Sequence, residues 1–275
     1  MLSPIYRGSI VYKWNGKLCL RRALFGGFGA GLKLLYEGKV KHAFINDASV
    51  GIFSFWNYIT NENARFVETV NNTKVTLDEW QKQRLIFFST KHPCFELAFA
   101  TFFLSRTNRS GILGAGPIGG QDPKNQEVAE YKIDCRFKKD LLIEKLQKIG
   151  NFRDAISITN YDALDFLKQL KLKNLFVYLD PPYFIQGKAL YLNYYRNDDH
   201  VLLRNYLNKR KGLKWMLSYD YTPNILDLYK SLELFKLSLN YSAHNVKKGL
   251  EVITHSLNTV FPEQYSCNKI SISKI

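Results

Sequence analysis

The stretch Asn174-Leu175-Phe176-Val177-Tyr178-Leu179-Asp180-Pro181-Pro182-Tyr183 decides how the chain is read. Its run up to Leu179 is short and apolar, with β-branched and aromatic side chains and no polar alternation, the pattern of a buried strand. Two successive prolines lack N–H donors, so a central strand cannot pass through them. The strand must stop at Asp180 and leave a rigid turn at its carboxyl end, the edge at which open α/β sheets bind ligands. The residue types gathered there suit a flat, weakly basic amine. Asp180 can accept a hydrogen bond from an exocyclic NH₂ group, the Pro181 carbonyl can accept a second, and the Tyr183 ring offers a face for stacking. A lone Asp-Pro-Pro-Tyr is equally a turn with a capping Asp. Its place directly after a buried strand is what favours a catalytic reading of Asp180, Pro181, Pro182 and Tyr183.

The 275 residues fit one large domain or a domain with an insertion. With 46% hydrophobic and 15% aromatic residues there is material for a sizeable core. A net charge of +15 and a pI near 9.5 point to a polyanionic partner, nucleic acid ahead of an acidic membrane surface. No apolar run reaches the roughly 18 residues of a membrane span, no basic amphipathic helix stands out, and no signal-peptide pattern is expected at the start. Cys19, Cys94, Cys135 and Cys267 are far apart and lack metal spacing, so reduced thiols, no metal and a cytoplasmic location are expected.

Working outward from the central stretch, Ala155–Asn160 reads as a strand, followed by Tyr161-Asp162 and a helix over Ala163–Leu170 that Asp162 would cap. Further upstream, Lys41–Asn46 reads as a strand ending at Asp47. About twenty residues before that acid lies Phe25-Gly26-Gly27-Phe28-Gly29-Ala30-Gly31, a spacing that suits a ribose contact by Asp47. Asp47 is equally an N-cap for a helix expected over Ser49–Thr60. The glycines permit a tight turn into a helix N-terminus, which favours a carboxylate, although a plain turn reads almost as well.

From residue 55 to 152 the strand–helix rhythm breaks. Thr76-x-x-Glu79 has the capping-box pattern at the head of a helix running to Arg84, and a second helix is expected over Cys94–Leu104. Then come Ser105-Arg106-Thr107-Asn108-Arg109-Ser110-Gly111 and the glycine-rich Gly114–Gly120. Such a loop is too polar for a core and suits phosphates and bases, or is simply a surface loop. The basic, aromatic-bearing run Tyr131–Lys139 reads first as a solvated face. Downstream, Gly187–His200 is a tyrosine-rich loop containing Tyr191 and Asn193, and His200 reads as the anchor of a helix over Asp199–Lys209 rather than as a base. Trp215–Asp220 is another strand-to-turn. Leu237–Ala243 and Leu250–His255 form an expected β-hairpin whose basic tip carries Lys247 and Lys248.

Taken together, Asp180-Pro181-Pro182-Tyr183, the glycine cluster, Asp47 and the run around Arg106 resemble the adenine-specific DNA methyltransferases of the Dam type, the D12 class, from about Phe25 onward. The resemblance implies an α/β fold: a Rossmann-like S-adenosylmethionine-dependent methyltransferase sheet with a mainly helical target-recognition insertion. Residues 1–54 and 153–275 would form the catalytic domain and 55–152 the insertion. It implies methyl transfer from S-adenosylmethionine to N6 of adenine in double-stranded DNA, in restriction-modification or host-genome methylation. Lys17, Gly26, Gly27, Gly29, Asp47, Asp162 and Asp180 would hold the cofactor. Arg106, Asn108, Arg109, Ser110, Tyr191, Asn193, Lys247 and Lys248 would contact DNA. A monomer is expected, with a cognate restriction endonuclease as candidate partner. The chain departs from the family pattern in three places: Ala23-Leu24 stands where Pro-Phe is usual, Ser105 replaces an Asn, and Lys17 lies too close to the glycines for an intervening helix. These departures leave open a DNA-binding relic with a truncated cofactor motif. The same motif geometry can also present cytosine N4, a guanine amine of RNA or a glutamine amide.

Overall fold

The computed structural model describes residues 17–21, 28–170, 175–184, 195–240, 248–261, 264–267 and 270–275. They fall into two compact units, one of Met1–Asn46 with Tyr161–Ile275, the other Asp47–Asn160. In chain order the elements are β1 (Lys17–Arg21), α1 (Gly29–Tyr36), β2 (Ala43–Asn46), α2 (Val50–Asn61), α3 (Asn63–Asn72), α4 (Leu77–Ser89), α5 (Phe95–Thr107), α6 (Pro123–Val128), α7 (Lys139–Gly150) and β3 (Ile156–Thr159). They continue with α8 (Ala163–Gln169), β4 (Leu175–Leu179), α9 (Asn197–Lys209), β5 (Lys214–Asp220), α10 (Pro223–Tyr229), β6 (Leu234–Asn240), β7 (Lys248–His255), β8 (Gln264–Cys267) and β9 (Ile270–Lys274). The protein is therefore a mixed α/β chain with a mixed sheet.

The first unit is built on that sheet. β1 pairs in parallel with β2 on one side and β4 on the other, and β4 pairs in parallel with β5. β7 then inserts antiparallel between β5 and β6, and β9 and β8 continue antiparallel from β6. Alternation along the strands sends neighbours to opposite faces. Leu175, Val177 and Leu179 of β4 join Trp215, Leu217 and Tyr219 of β5 and Val252 of β7 in one core, closed by Phe166 and Leu167 of α8, Leu203 and Leu207 of α9, and Ile225 and Tyr229 of α10. The adjacent Ile253 joins Phe235, Leu237, Phe261 and Ile272 in a second cluster, with Met216 packed against it. The other face of β4 carries the half-buried aromatics Phe176 and Tyr178, so the strand shows no polar alternation in its sequence.

β1 was not evident in the sequence: three apolar residues between Lys17 and Arg21 carry too little periodicity to distinguish a strand from a loop. The expected hairpin is present as β6 and β7, with Asn240 opposite Lys248, and its tip over 241–247 lies outside the described residues.

The second unit is mostly helical and has an aromatic core. Every residue of α5 from Leu97 to Ser105 is buried. Phe66 of α3 packs on Phe55 of α2 and on Phe95, Phe99 and Phe102 of α5, with ring centroids 5.6–6.0 Å apart. Phe55 and Phe102 stack with planes 7° apart. Gly51 lets α2 approach α5 closely, since a Cβ there would sit 2.7 Å from Thr101 Oγ1. Asn63 ties α3 to α7 by donating to the Leu146 carbonyl at 2.9 Å. No helix among the described residues is long and apolar enough to cross a membrane, and no cluster of His, Cys, Asp and Glu among them could hold a metal ion.

Candidate active site

β4 delivers Asp180 to the carboxyl edge of the sheet. Pro181 and Pro182 are buried and Tyr183 is half-buried. The register of β4 against β5 pairs Leu179 with Leu217, which sets Asp180 beside Ser218. Ser218 Oγ donates to Asp180 Oδ1 at 3.3 Å and shares a 2.8 Å hydrogen bond with the Tyr178 hydroxyl. The far end of the turn is fixed by the Phe184 N–H, which donates to Asp220 Oδ1 at 2.8 Å. No donor among the described residues reaches the Pro181 carbonyl.

A third acid completes the cluster. The pairing of β5 with β7 places Glu251 opposite Asp220, and the Tyr183 hydroxyl donates to Glu251 Oε1 at 2.8 Å. Burial, and after it the charge of Asp180, push the Glu251 carboxyl up to about 7; the Tyr183 hydrogen bond pulls it down and Asp220 adds a smaller upward push. The sequence reading passed over Glu251. The available signal was a carboxylate set in the otherwise apolar run Leu250–Ile253.

His200, on α9, is buried and shares a 2.7 Å hydrogen bond through Nδ1 with the Tyr219 hydroxyl. Its ring packs 5.2 Å from those of Phe184 and Tyr195. Burial lowers its pKa, with Asp220 and Asp199 opposing. It anchors α9 against the turn that follows the prolines.

The candidate cofactor residues are distributed as follows. Lys17 is the first residue of β1, paired with Leu175. Gly26 and Gly27 lie outside the described residues. Gly29 opens helix α1, whose N-terminus carries neither a side-chain cap nor an acid in its first turn. Asp162 caps α8, its Oδ1 accepting from the Leu164 N–H at 2.8 Å. Buried Asn46 holds the segment before that cap in both directions, donating to the Tyr161 carbonyl at 3.0 Å and accepting from the Tyr161 N–H at 2.9 Å. Asp47 belongs to the second unit, where its N–H donates to the Thr159 carbonyl and its carbonyl accepts from Asn160 Nδ2. It does not cap α2. Its Oδ1 accepts from the Ser49 N–H at 2.8 Å, and Ser49 is the cap.

The loop after α5 divides into inward and outward halves. Asn108 is fully buried: its amide nitrogen donates to the Ile112 and Leu113 carbonyls at 2.9 and 3.0 Å, and its oxygen accepts from Trp80 Nε1 at 2.6 Å. The Asn108 side chain therefore holds the loop closed from within. Arg106 is largely buried beside Arg136, and burial ahead of that like charge holds its guanidinium down to about 10. Arg109 and Ser110 are exposed. Ser110 has φ 55°, the one positive φ outside glycine among the described residues. The loop is closed by the Arg109 N–H to Gly116 carbonyl bond at 3.0 Å and by Gln126, which donates to the Ile118 and Gly120 carbonyls at 2.7 Å. The sequence gives no signal for Gln126. Trp80, as a buried indole needing an acceptor, was the available clue to Asn108. Tyr191, Asn193 and Lys247 lie outside the described residues, and Lys248 opens β7.

No curated protein matches the sequence. The family model of the D12 class N6 adenine-specific DNA methyltransferases matches residues 24–248, both sides of the Asp180 turn and the whole helical unit between. The chain belongs to that family of D12 class N6 adenine-specific DNA methyltransferases.

Proposed function

We propose that the chain is a site-specific DNA methyltransferase that transfers a methyl group from S-adenosylmethionine to N6 of adenine in double-stranded DNA. The observation that carries this reading is the turn after β4: a carboxylate held by Ser218, a proline carbonyl that no described residue reaches, and a tyrosine with its hydroxyl anchored. The strand arrangement supports a Rossmann-like sheet. β2, β1, β4 and β5 run parallel and β7 enters antiparallel before β6. The order reverses between β1 and β4, the kind of switch point at which open α/β sheets bind ligands.

The residues present fit the cofactor. The uncapped N-terminus of α1, at Gly29, leaves N–H donors for a carboxylate. Gly26, Gly27, Lys17, Asp47, Asp162 and Asp180 are proposed to complete the holding set, with Asp47 toward the ribose. S-adenosylmethionine, when bound, supplies a methyl group already activated as an electrophile. What the protein adds is positioning and charge placement. An exocyclic amine conjugated to a purine is a poor nucleophile. Asp180 and the Pro181 carbonyl accept its two N–H bonds and so raise the availability of its lone pair. Tyr183 stacks the flipped base, against an unstacking cost of a few kcal/mol.

Residues 1–54 and 153–275 are proposed as the catalytic domain and 55–152 as the target-recognition insertion, a division supported by the separate compactness of the helical unit. Arg106, Asn108, Arg109, Ser110, Tyr191, Asn193, Lys247 and Lys248 are the proposed DNA-contact set, Arg109 and Ser110 being favoured by exposure and Asn108 acting through the loop it holds. A restriction-modification or genome-methylation role, a cognate endonuclease, a monomeric state and a cytoplasmic location belong to the same reading. Ala23-Leu24 in place of Pro-Phe keeps one alternative in view, a relic that binds DNA without the cofactor.

Calorimetry with S-adenosylmethionine in the absence of DNA tests the pocket. Binding is expected for the wild type and, largely unchanged, for Asp180→Ala, which should lose all methyl transfer. Retained DNA binding without cofactor binding would establish the relic, and normal turnover by Asp180→Ala would remove the catalytic assignment.

A further inference from the structure

We propose that Glu251 is a positioning residue for methyl transfer, its carboxylate holding the Tyr183 hydroxyl and thereby fixing the ring on which the target base stacks. The inference rests on the methyltransferase reading and extends it to a residue on β7, far from Asp180-Pro181-Pro182-Tyr183 in sequence.

The geometry is direct. Tyr183 follows two prolines, so its backbone is set by the turn, and the remaining freedom is rotation of the side chain. The 2.8 Å hydrogen bond from its hydroxyl to Glu251 Oε1 removes that freedom. The choice of residue is costly. Glu251 faces Asp180 from the end of β4 and Asp220 from β5, and β6 places Leu237 opposite it. It forms no ion pair among the described residues. A glutamine would accept the same hydroxyl without adding a third negative charge to a partly buried site. Groups kept at a cost to stability concentrate where they serve function. What the carboxylate adds is strength and direction, since a hydrogen bond to an ionised acceptor is about twice as strong as a neutral one.

The ionised form is therefore the competent one, and it is the form that burial and the two aspartates oppose. The sign follows. Because the folded-state pKa, about 7, lies above the ordinary value of 4.5, the folded protein loses stability as pH rises through that interval. Over the same interval the holding contact strengthens. Rate and stability should thus move in opposite directions with pH, which a purely structural glutamate would not produce.

The test compares wild type, Glu251→Gln, Tyr183→Phe and the double variant, by kcat and KM for DNA methylation from pH 5.5 to 8.5 and by melting temperature at pH 8. Wild-type kcat is expected to rise through an apparent pKa near 7. Glu251→Gln should lose that limb and run about tenfold slower at pH 8, in line with one charge-assisted hydrogen bond, while melting higher than wild type at that pH. Tyr183→Phe should lose the limb too, and the double variant should be no slower than the slower single one. Additive losses, a retained limb in Glu251→Gln, or a lower melting temperature alongside the slower rate would overturn the role. A wild type that transfers no methyl at any pH is a different failure: it removes the methyltransferase reading, and the role of Glu251 falls with it.

Discussion

Asn108 and Asp180 were both singled out in the sequence, Asn108 within a polar, basic loop and Asp180 at the end of an apolar run, and their surroundings separate them. Asn108 has each amide atom engaged inside its own unit, whereas Asp180 keeps an edge position beside a proline carbonyl. Asn108→Ala should leave two carbonyls and an indole N–H without their partner. It is expected to lower unfolding stability by about 3 kcal/mol, at roughly 1 kcal/mol or more per abandoned group, as read from urea denaturation. His200 makes a second residue-level case. Its pKa is depressed by burial in the folded state, so the stability it supports is complete above the ordinary value of 6.5 and is lost as pH falls through the lower folded value. The melting temperature should fall on acidification below neutrality, and less so in a His200→Gln variant. Asp180 was legible because the two prolines after it announce a turn. Glu251 was not, because its environment is assembled by β4 and β5, which no local pattern around residue 251 reports.

Among the elements, legibility followed the presence of a cap or a clean period. α4 begins after Thr76, whose side chain accepts from the Glu79 N–H, and α8 begins after Asp162, each close to where its capping residue indicates. β4 and β5 were readable as apolar runs that stop at acids. β1 was not, although it lies between β2 and β4 in the sheet, because its place is set by its neighbours rather than by its own five residues. α3 and α7 also escaped the reading. α3 has no side-chain cap and buries only Phe66 and Val70, so its stripe is too thin to mark a helix. The packing of α2 on α5 is a close element-level contact at Gly51. Gly51→Val should force Thr101 Oγ1 and the Phe87 ring apart from α2 and destabilise the helical unit by about 1–3 kcal/mol, the usual cost of overpacking. Thermal unfolding with a parallel check of cofactor binding would localise the damage to that unit.

At the scale of the whole molecule, the charge that first suggested nucleic acid is unevenly distributed. Between Asp47 and Asn160, 15 Lys and Arg stand against 13 Asp and Glu, which accounts for only two of the fifteen net positive charges. The rest belong to the sheet-bearing unit. The nonspecific grip on phosphates is thus expected from that unit, with the helical loop around Arg109 reading the target. Arg109→Ala should weaken binding of cognate DNA while changing the slope of log affinity against log salt by no more than about 0.9, the value of a single phosphate contact. A much larger change would move the electrostatic contribution to the helical unit. The central claim is chemical, and one assay reaches it directly. Unmethylated DNA is incubated with the protein and S-adenosylmethionine, digested to nucleosides and examined by mass spectrometry, with Asp180→Ala as control. N6-methyladenine from the wild type alone is the expected result. Methylation at cytosine N4 instead, no methylated base at all, or equal N6-methyladenine from Asp180→Ala would contradict the account.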